Sequence, residues 1–124
     1  MATLNLTSTI SSSGLTSDVI SSTVLKAATV TQGGISRMNI TEQVGGTPHV
    51  VAAHADHAAG SYVYLKNAGS LNLFIKTEGG ANTIHQIYLT PGDWALFPWA
   101  ADTANIICYA SAGTGCLLEY GVFE

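Results

Sequence analysis

The sequence predicts an all-β protein, an antiparallel β-sandwich with a jelly-roll-like arrangement and an extended N-terminal arm. β-Branched and aromatic residues recur in short runs, and clusters of Gly, Asn, Ser and Pro separate these runs. No apolar pattern of helical spacing continues for ten residues. We therefore expect less than about 10% helix, against about 30–35% in globular proteins. Strands at such even spacing are typical of a sandwich or a Greek-key jelly roll.

The first 17 residues differ from the rest of the chain. Residues 1–10 alternate loosely between apolar and polar, and residues 11–14 break this alternation. Leu4, Leu6 and Ile10 share one side of an extended segment, but they offer too little apolar surface to offset the entropy of ordering. We predict an arm or edge strand over 1–17 and a single sandwich domain over 18–124. The arm is expected to reach onto a neighbouring subunit or the shell by adding to an exposed sheet edge, and a frayed, solvated N-terminus is the alternative.

The remaining strands and turns can be assigned in order. Residues 18–30 are rich in Val, Ile and Thr and are predicted to form a strand. Further strands are predicted at 62–66, 71–76, 83–89, 94–97, 105–110 and 116–123. We expect the first two of these to form a hairpin, and the last two to form the closing pair. Residues 90–93, Thr-Pro-Gly-Asp, place Pro and Gly at the central positions of a type II turn, and Pro98 is expected to end its strand.

Composition limits the classes of function. A chain of 124 residues suits one domain. Only 10% of its residues are charged, against about 25% in typical soluble domains, which favours a surface that neighbouring subunits cover. The net charge is −4 and the four cations form no basic run, so no direct binding to nucleic acid is expected. Neither a membrane span nor a secretory signal is predicted.

The densest group of metal-ligand types is His49, His54, Asp56 and His57. His54 and His57 are three residues apart, a spacing that suits one face of a helix better than a strand. The surrounding Ala-rich stretch, which ends at Gly60, is typical of an exposed loop. We therefore expect no bound metal and no other cofactor, with His54, Asp56 and His57 as the weak candidates for a metal site. Such a loop could instead contact a partner.

No catalytic residue is predicted. The chain contains no Gly-x-Ser-x-Gly elbow, and Cys108 and Cys116 lie in strand-like runs without a basic environment. A hairpin centred near Ala112 would place these two cysteines opposite each other. Two reduced, buried cysteines are the expected state in a chain without a secretory signal, and a disulfide remains the alternative.

Most of the ten aromatic residues are expected in the core or at a subunit interface. Trp94 and Trp99 flank a predicted strand next to a turn, and an exposed tryptophan there would mark a contact surface. These two residues join Leu4, Leu6 and Ile10 as interface candidates. The alternative for the aromatic residues is a carbohydrate-binding surface.

Residues 91–98, Pro-Gly-Asp-Trp-Ala-Leu-Phe-Pro, resemble the second conserved segment of cupins, whose jelly roll holds a metal on clustered histidines. The rest of that ligand set is missing: no His-x-His with a following Glu comes earlier, and no histidine follows Pro98. This resemblance therefore implies the fold without the metal chemistry.

Residues 60–98 and the closing Leu-Leu-Glu-Tyr-Gly-Val-Phe-Glu resemble small virion proteins of tailed bacteriophages in their pattern of apolar strands and Gly-rich turns. This resemblance implies a particle component that is made in the host bacterial cytoplasm. A capsid cement or decoration protein is expected first, and a tail, neck or fibre subunit is the alternative. The implied partners are virion proteins such as the major capsid protein. The arm and the low charge predict in addition a homo-oligomer, with a trimer expected. A carbohydrate-binding module or a cupin-like metal protein is the alternative of another class.

Overall fold

The computed structural model describes residues 2–11, 21–79 and 85–124. Its strands are β1 (Ala2–Ser11), β2 (Ser21–Val30), β3 (Gly33–Ile40), β4 (His49–Ala52), β5 (Ser61–Asn67), β6 (Leu73–Thr77), β7 (Ile87–Leu89), β8 (Trp94–Trp99), β9 (Ile106–Ala110) and β10 (Cys116–Phe123). The only helical segment in these residues is a single 3-10 turn, His54–Asp56, and none of them forms a helix that could span a membrane. The all-β prediction is confirmed.

The chain divides into two compact units, Met1–Gln32 and Gly33–Glu124. In the first unit, β1 and β2 form an antiparallel pair in which Ala2 lies opposite Val30. The N-terminal segment was predicted to end at residue 17, whereas the first unit of the structure ends at Gln32, because β1 pairs with β2 along its whole length. Residues 12–17 of the predicted arm and residues 18–20 of the predicted strand lie outside the described residues.

The second unit contains two antiparallel sheets of four strands each. The first sheet has the order β3-β10-β5-β8, and the second has the order β4-β9-β6-β7. With the eight strands numbered along this unit, the sheets read 1-8-3-6 and 2-7-4-5. This is the strand order of a jelly roll built from two Greek keys. The predicted sandwich with jelly-roll character is therefore what the structure shows.

The core lies between these two sheets. Burial alternates strictly along β5: Val63 and Leu65 are buried, whereas Tyr62, Tyr64 and Lys66 are half-buried. Strands β3, β6, β9 and β10 contribute further fully or almost fully buried side chains, among them Ile40, Ile75, Ile106 and Leu118. Every residue of this core cluster belongs to the second unit.

The predicted hairpins between sequence neighbours are wrong in two places. Strand β5 pairs with β8 and β10 in the first sheet, whereas β6 belongs to the second sheet. Likewise β9 pairs with β4 and β6, whereas β10 pairs with β3 and β5. In both cases the chain crosses from one sheet to the other after a short turn, since this crossing lets each strand bury its apolar side. Residues 83 and 84 of the predicted third strand lie outside the described residues.

The type II turn at residues 90–93 is present. The Asp93 N–H donates to the Thr90 carbonyl at 2.9 Å, and Gly92 has a φ of 90°, which favours glycine at this position. The Asp93 carboxylate accepts hydrogen bonds from the Thr90 hydroxyl and amide, and these bonds lower the pKa of Asp93. Strand β8 begins next and continues through Pro98 to Trp99. Proline does not end this strand, because β8 is at the sheet edge.

A fully buried asparagine connects several turns of the jelly roll. The Asn67 side-chain amide donates to the Leu71 carbonyl at 2.7 Å and to the Leu89 carbonyl at 2.9 Å. Its side-chain oxygen accepts a hydrogen bond from the Gly69 amide and lies 3.4 Å from the Cys116 sulfur. Asn67 therefore satisfies polar groups that would otherwise be buried without partners.

Candidate interaction surfaces

The β1–β2 hairpin is amphipathic. Residues directly opposite each other across the two strands share a face, so Leu4 lies beside Ala28 and Leu6 lies beside Lys26. We call this side the apolar hairpin face, and it consists of Ala2, Leu4, Leu6, Ser8, Ile10, Ser22, Val24, Lys26, Ala28 and Val30. The other side is the threonine face, which includes Thr3, Asn5, Thr7, Thr9, Ser11, Thr23, Leu25, Ala27 and Thr29. The three interface candidates predicted in the arm therefore do share one side.

Only part of the apolar hairpin face is open. Val30 is 8% exposed and Leu4, Leu6 and Ala28 are half-buried, whereas Ile10 is 61% exposed and Val24 is 62% exposed. An isolated two-stranded hairpin is at best marginally stable in water, and it needs another layer against its apolar side. This face is therefore a candidate surface for contact with protein.

The first sheet also has an apolar outer face, which we call the aromatic face. The registers place Tyr62, Tyr64, Leu96, Phe123, Ile35 and Trp94 on this side, away from the core. The Phe123 ring lies over Gly33 and Gly121, where an added Cβ would come within 2.6 Å and 3.0 Å of ring carbons, respectively. Glycine at these two positions lets the ring lie flat on the sheet.

One row of charged side chains crosses the aromatic face. Arg37, Glu119 and Lys66 are cross-strand neighbours, and the Arg37 guanidinium donates from Nε and Nη2 to Glu119 Oε2 at 3.0 Å and 2.9 Å. The Tyr64 hydroxyl donates to the other oxygen, Oε1, at 3.1 Å. The Arg37 hydrogen bonds, more than any other contact, hold the pKa of Glu119 below its usual value. Burial, followed by the Glu119 contact, raises the pKa of Tyr64.

The two predicted tryptophan candidates have different environments. Trp94 ends the charged row on the aromatic face and is 54% exposed. Trp99 is only 7% exposed and belongs to the core, so it cannot offer a contact surface as the sequence analysis expected. Trp94 and Trp99 are five positions apart, and because side chains alternate along a strand, they lie on opposite sides of β8.

The predicted histidine group is not brought together. The Asn105 side-chain oxygen lies 2.9 Å from both the His54 amide and His54 Nδ1, whereas His57 Nδ1 lies 3.7 Å from Glu124. Asp56 is exposed. No cluster of three or more His, Cys, Asp or Glu side chains that could hold a metal occurs in the described part of the chain.

His49 contacts Thr41 and not the other histidines of this group. Its Nε2 atom lies 3.3 Å from the Thr41 amide and 3.2 Å from the Thr41 hydroxyl. The fourth histidine, His85, packs its ring against Phe74 at a centroid distance of 5.0 Å and edge-on against Tyr109 at 5.8 Å. The four imidazoles therefore have four separate sets of neighbours.

Cys108 and Cys116 are both buried and free. They lie on β9 and β10, which belong to different sheets, so the hairpin that would have placed them opposite each other does not form. Burial, with a smaller contribution from Cys116, raises the pKa of the Cys108 thiol to about 12. Since the thiolate is the nucleophilic form, this shift makes Cys108 unsuited to nucleophilic catalysis near neutral pH.

No protein-family model matches the chain, and no curated protein matches it. The apolar hairpin face and the aromatic face are therefore the features from which a function can be inferred.

The contribution of β2 to the apolar hairpin face was not predicted from the sequence. Val24, Lys26 and Ala28 alternate with Thr23, Leu25 and Ala27, and this period of two could have identified the face. The charged row was missed for a different reason. Arg37, Lys66 and Glu119 are far apart in the sequence, and only the pairing of β3, β5 and β10 brings them together.

Proposed function

We propose that this protein is a non-enzymatic structural subunit of a tailed-bacteriophage particle, and that it is a capsid cement or decoration protein. It would act in the virion, after synthesis in the bacterial cytoplasm, by forming protein–protein contacts that stabilise the shell. The observation that carries this proposal is the apolar hairpin face, a paired and ordered surface that its own two strands cannot cover.

Three further observations support this role. Only 10% of the residues are charged, so much of the surface is uncharged. Large apolar side chains remain exposed on both units, among them Ile10, Val24, Ile35 and Trp94. Such side chains are typical of surfaces that other subunits cover. The resemblance of residues 60–98 to small virion proteins points to the same class, with a homo-oligomer and the major capsid protein as partners.

Purified particles provide the direct test. Antibodies raised against the recombinant protein should label virions, and quantitative mass spectrometry should find many copies per particle. Label distributed over the shell would support a cement or decoration protein, whereas label confined to the tail or neck would support the alternative location. Absence of the protein from purified virions that are made in cells expressing it would contradict the proposal.

A second candidate function, carbohydrate binding, is favoured by one observation. Trp94 and Tyr88 are large aromatic side chains that are 54% and 53% exposed, and exposed aromatic rings can stack on sugars. A glycan array distinguishes this function from a structural role, since a carbohydrate-binding module should retain specific glycans and Trp94→Ala should abolish that binding. The cupin-like metal alternative has no comparable support, because the four imidazoles are separated. Elemental analysis of untagged protein would test it.

A further inference from the structure

We propose that β3 of one chain pairs antiparallel with β3 of a second copy, about a two-fold axis at Ser36. The first sheets of the two jelly rolls would then form one continuous sheet of eight strands. This inference concerns self-association and does not depend on a role in a phage particle. It predicts a dimer in place of the trimer expected from the sequence.

Three of the four edge strands of the jelly roll carry features that oppose pairing with another chain. A sheet edge presents unpaired N–H and C=O groups, and short strands, bulges and proline prevent a further strand from adding to it. Strand β7 has three residues, and β4 has four with a register shift between Val50 and Ala52. Strand β8 contains Pro98, which has no amide hydrogen to donate. These three edges are therefore poor templates for another strand.

Strand β3 is the fourth edge, and it has none of these features. Its eight residues include no proline and pair with β10 in unbroken register. Its other edge pairs with none of the strands in the described residues, and residues 33–37 are exposed. The only charged side chain of β3, Arg37, donates to Glu119 on β10, so its charge is directed across the sheet and not over the open edge. This edge is therefore open to strand addition.

Symmetry and charge favour a second β3 as the added strand. A two-fold contact pairs the open edges of both copies at once, and closed two-fold dimers are the commonest homo-oligomers. Addition of an unlike strand, such as β1 of another copy, would leave an open β3 edge until a ring closed. With one charge in eight residues, β3 also gives little electrostatic selection for a strand of another protein. Each Arg37 brought near the axis is already paired with Glu119 of its own chain.

The register of the contact follows from backbone geometry and charge. Only alternate residues direct their N–H and C=O groups to the open edge, so opposite residues must both be odd-numbered or both even-numbered. The two longest registers of this kind overlap by about seven residues and are centred on Ser36 or on Arg37. Centring on Arg37 would place two guanidinium groups directly opposite each other, which is unfavourable. Centring on Ser36 places Arg37 opposite Ile35 of the second copy, a side chain that is 61% exposed and that the aliphatic part of arginine can cover.

Cysteine cross-linking tests this register on the full-length chain. At the two-fold axis the two Cα atoms of residue 36 would lie about 4.5–5.5 Å apart, within the range that a disulfide spans. Ser36→Cys is therefore the test variant. Asn39→Cys is the matched control, because Asn39 is exposed on the same strand but would lie about 20 Å from its copy. Cys108 and Cys116 are buried, and the wild type controls for their reactivity.

A charge at the same position tests association without oxidation. Ser36→Lys would place two lysines directly opposite each other at the axis, whereas Asn39→Lys would place each lysine opposite Gly33 of the second copy. Light scattering and sedimentation across a dilution series measure the equilibrium between monomer and dimer, and near-ultraviolet circular dichroism checks folding.

We expect a dimeric wild type, and a covalent dimer on a non-reducing gel after mild oxidation of Ser36→Cys but not of Asn39→Cys. Ser36→Lys should weaken dimerisation by about tenfold or more, and Asn39→Lys should retain it. A monomeric or trimeric wild type, equal cross-linking of the two cysteine variants, or a folded Ser36→Lys variant that dimerises normally would each overturn the inference. If Ser36→Lys does not fold, the cysteine pair decides. Presence in virions, which tests the proposed function, is measured separately from all of these outcomes.

Discussion

The hairpin and the jelly roll are built from the same kind of strand, yet their apolar sides meet different environments. In the jelly roll, Val63 and Leu65 are fully buried between two sheets. In the hairpin, Val24 and Ile10 occupy equivalent alternating positions and remain mostly exposed. Alternation along a strand selects which side is apolar, and burial of that side requires a second layer. The jelly roll supplies its own second layer, whereas the described residues of the first unit form a single two-stranded sheet.

The largest expected effect is at Asn67, in the jelly roll. Asn67→Asp would place a carboxylate against the Leu71 and Leu89 carbonyl oxygens and remove the amide donor. We expect a loss of about 3–5 kcal/mol in the free energy of unfolding at neutral pH, because a buried charge is left unpaired. Chemical denaturation followed by fluorescence measures this loss.

The pH dependence of Asn67→Asp sharpens this prediction. Repulsion from the carbonyls would raise the folded-state pKa of the introduced carboxyl above its unfolded value, so the destabilisation is complete at high pH and decreases as the pH falls through that folded-state value. An Asn67→Asp variant as stable as wild type at neutral pH would show that Asn67 does not organise these turns.

The second prediction compares a leucine in each unit. Leu65→Ala should lower the free energy of unfolding by about 2–5 kcal/mol, since it leaves a cavity between the sheets. Leu25→Ala, on the threonine face, should change it by no more than about 0.5 kcal/mol. Denaturation midpoints of the two variants at the same subunit concentration provide the measurement. Equal losses for both leucines would remove the distinction between the two regions.

A smaller effect is expected at the turn between β7 and β8. Gly92→Val should cost about 1 kcal/mol, because a side chain is disfavoured at positive φ, although the space around Gly92 is open. Gly92→Asn is the matched control, since asparagine tolerates this conformation better. The midpoint temperature of thermal unfolding should be highest for the wild type, lower for Gly92→Asn and lowest for Gly92→Val. An unchanged midpoint for Gly92→Val would show that this turn adds little to the stability of the jelly roll.

The smallest effect concerns the exposed row on the aromatic face. Arg37→Gln should raise the pKa of Glu119, because the guanidinium hydrogen bonds that lower it are lost. The Glu119 contribution to stability is present above the unfolded-state pKa and is lost as the pH falls through the folded-state pKa. The difference between wild type and Arg37→Gln should therefore be small at neutral pH and disappear in acid. Carboxyl NMR titration follows the pKa, and a variant with an unchanged Glu119 pKa would refute the interaction.

Local features could be predicted from the sequence because their causes are local. The turn at residues 90–93 needs only Pro91 and Gly92 at its centre. The positions of β2 and of β5 to β10 follow from alternation and β-branched residues, whereas β3 and β4 were not predicted. The common side of Leu4, Leu6 and Ile10 was predicted in the same way. The proximity of His54, Asp56 and His57 in the sequence does not give a metal-binding cluster in the described residues, because His54 contacts Asn105, His57 lies near Glu124 and Asp56 is exposed.

Pairing between strands depended on the whole chain. A short turn after β5 is compatible with a return beside β5 and with a crossing to the other sheet, and nothing in residues 67–72 distinguishes the two routes. Packing decides between them, since the crossing lets strands distant in sequence bury their apolar sides against one another. The same physical cause separates exposed Trp94 from buried Trp99 and assembles Arg37, Lys66 and Glu119 into one row. The sequence by itself therefore determined the alternation of apolar residues and the turn at residues 90–93. Only tertiary packing decided which strands pair within a sheet and which side chains meet between the two sheets.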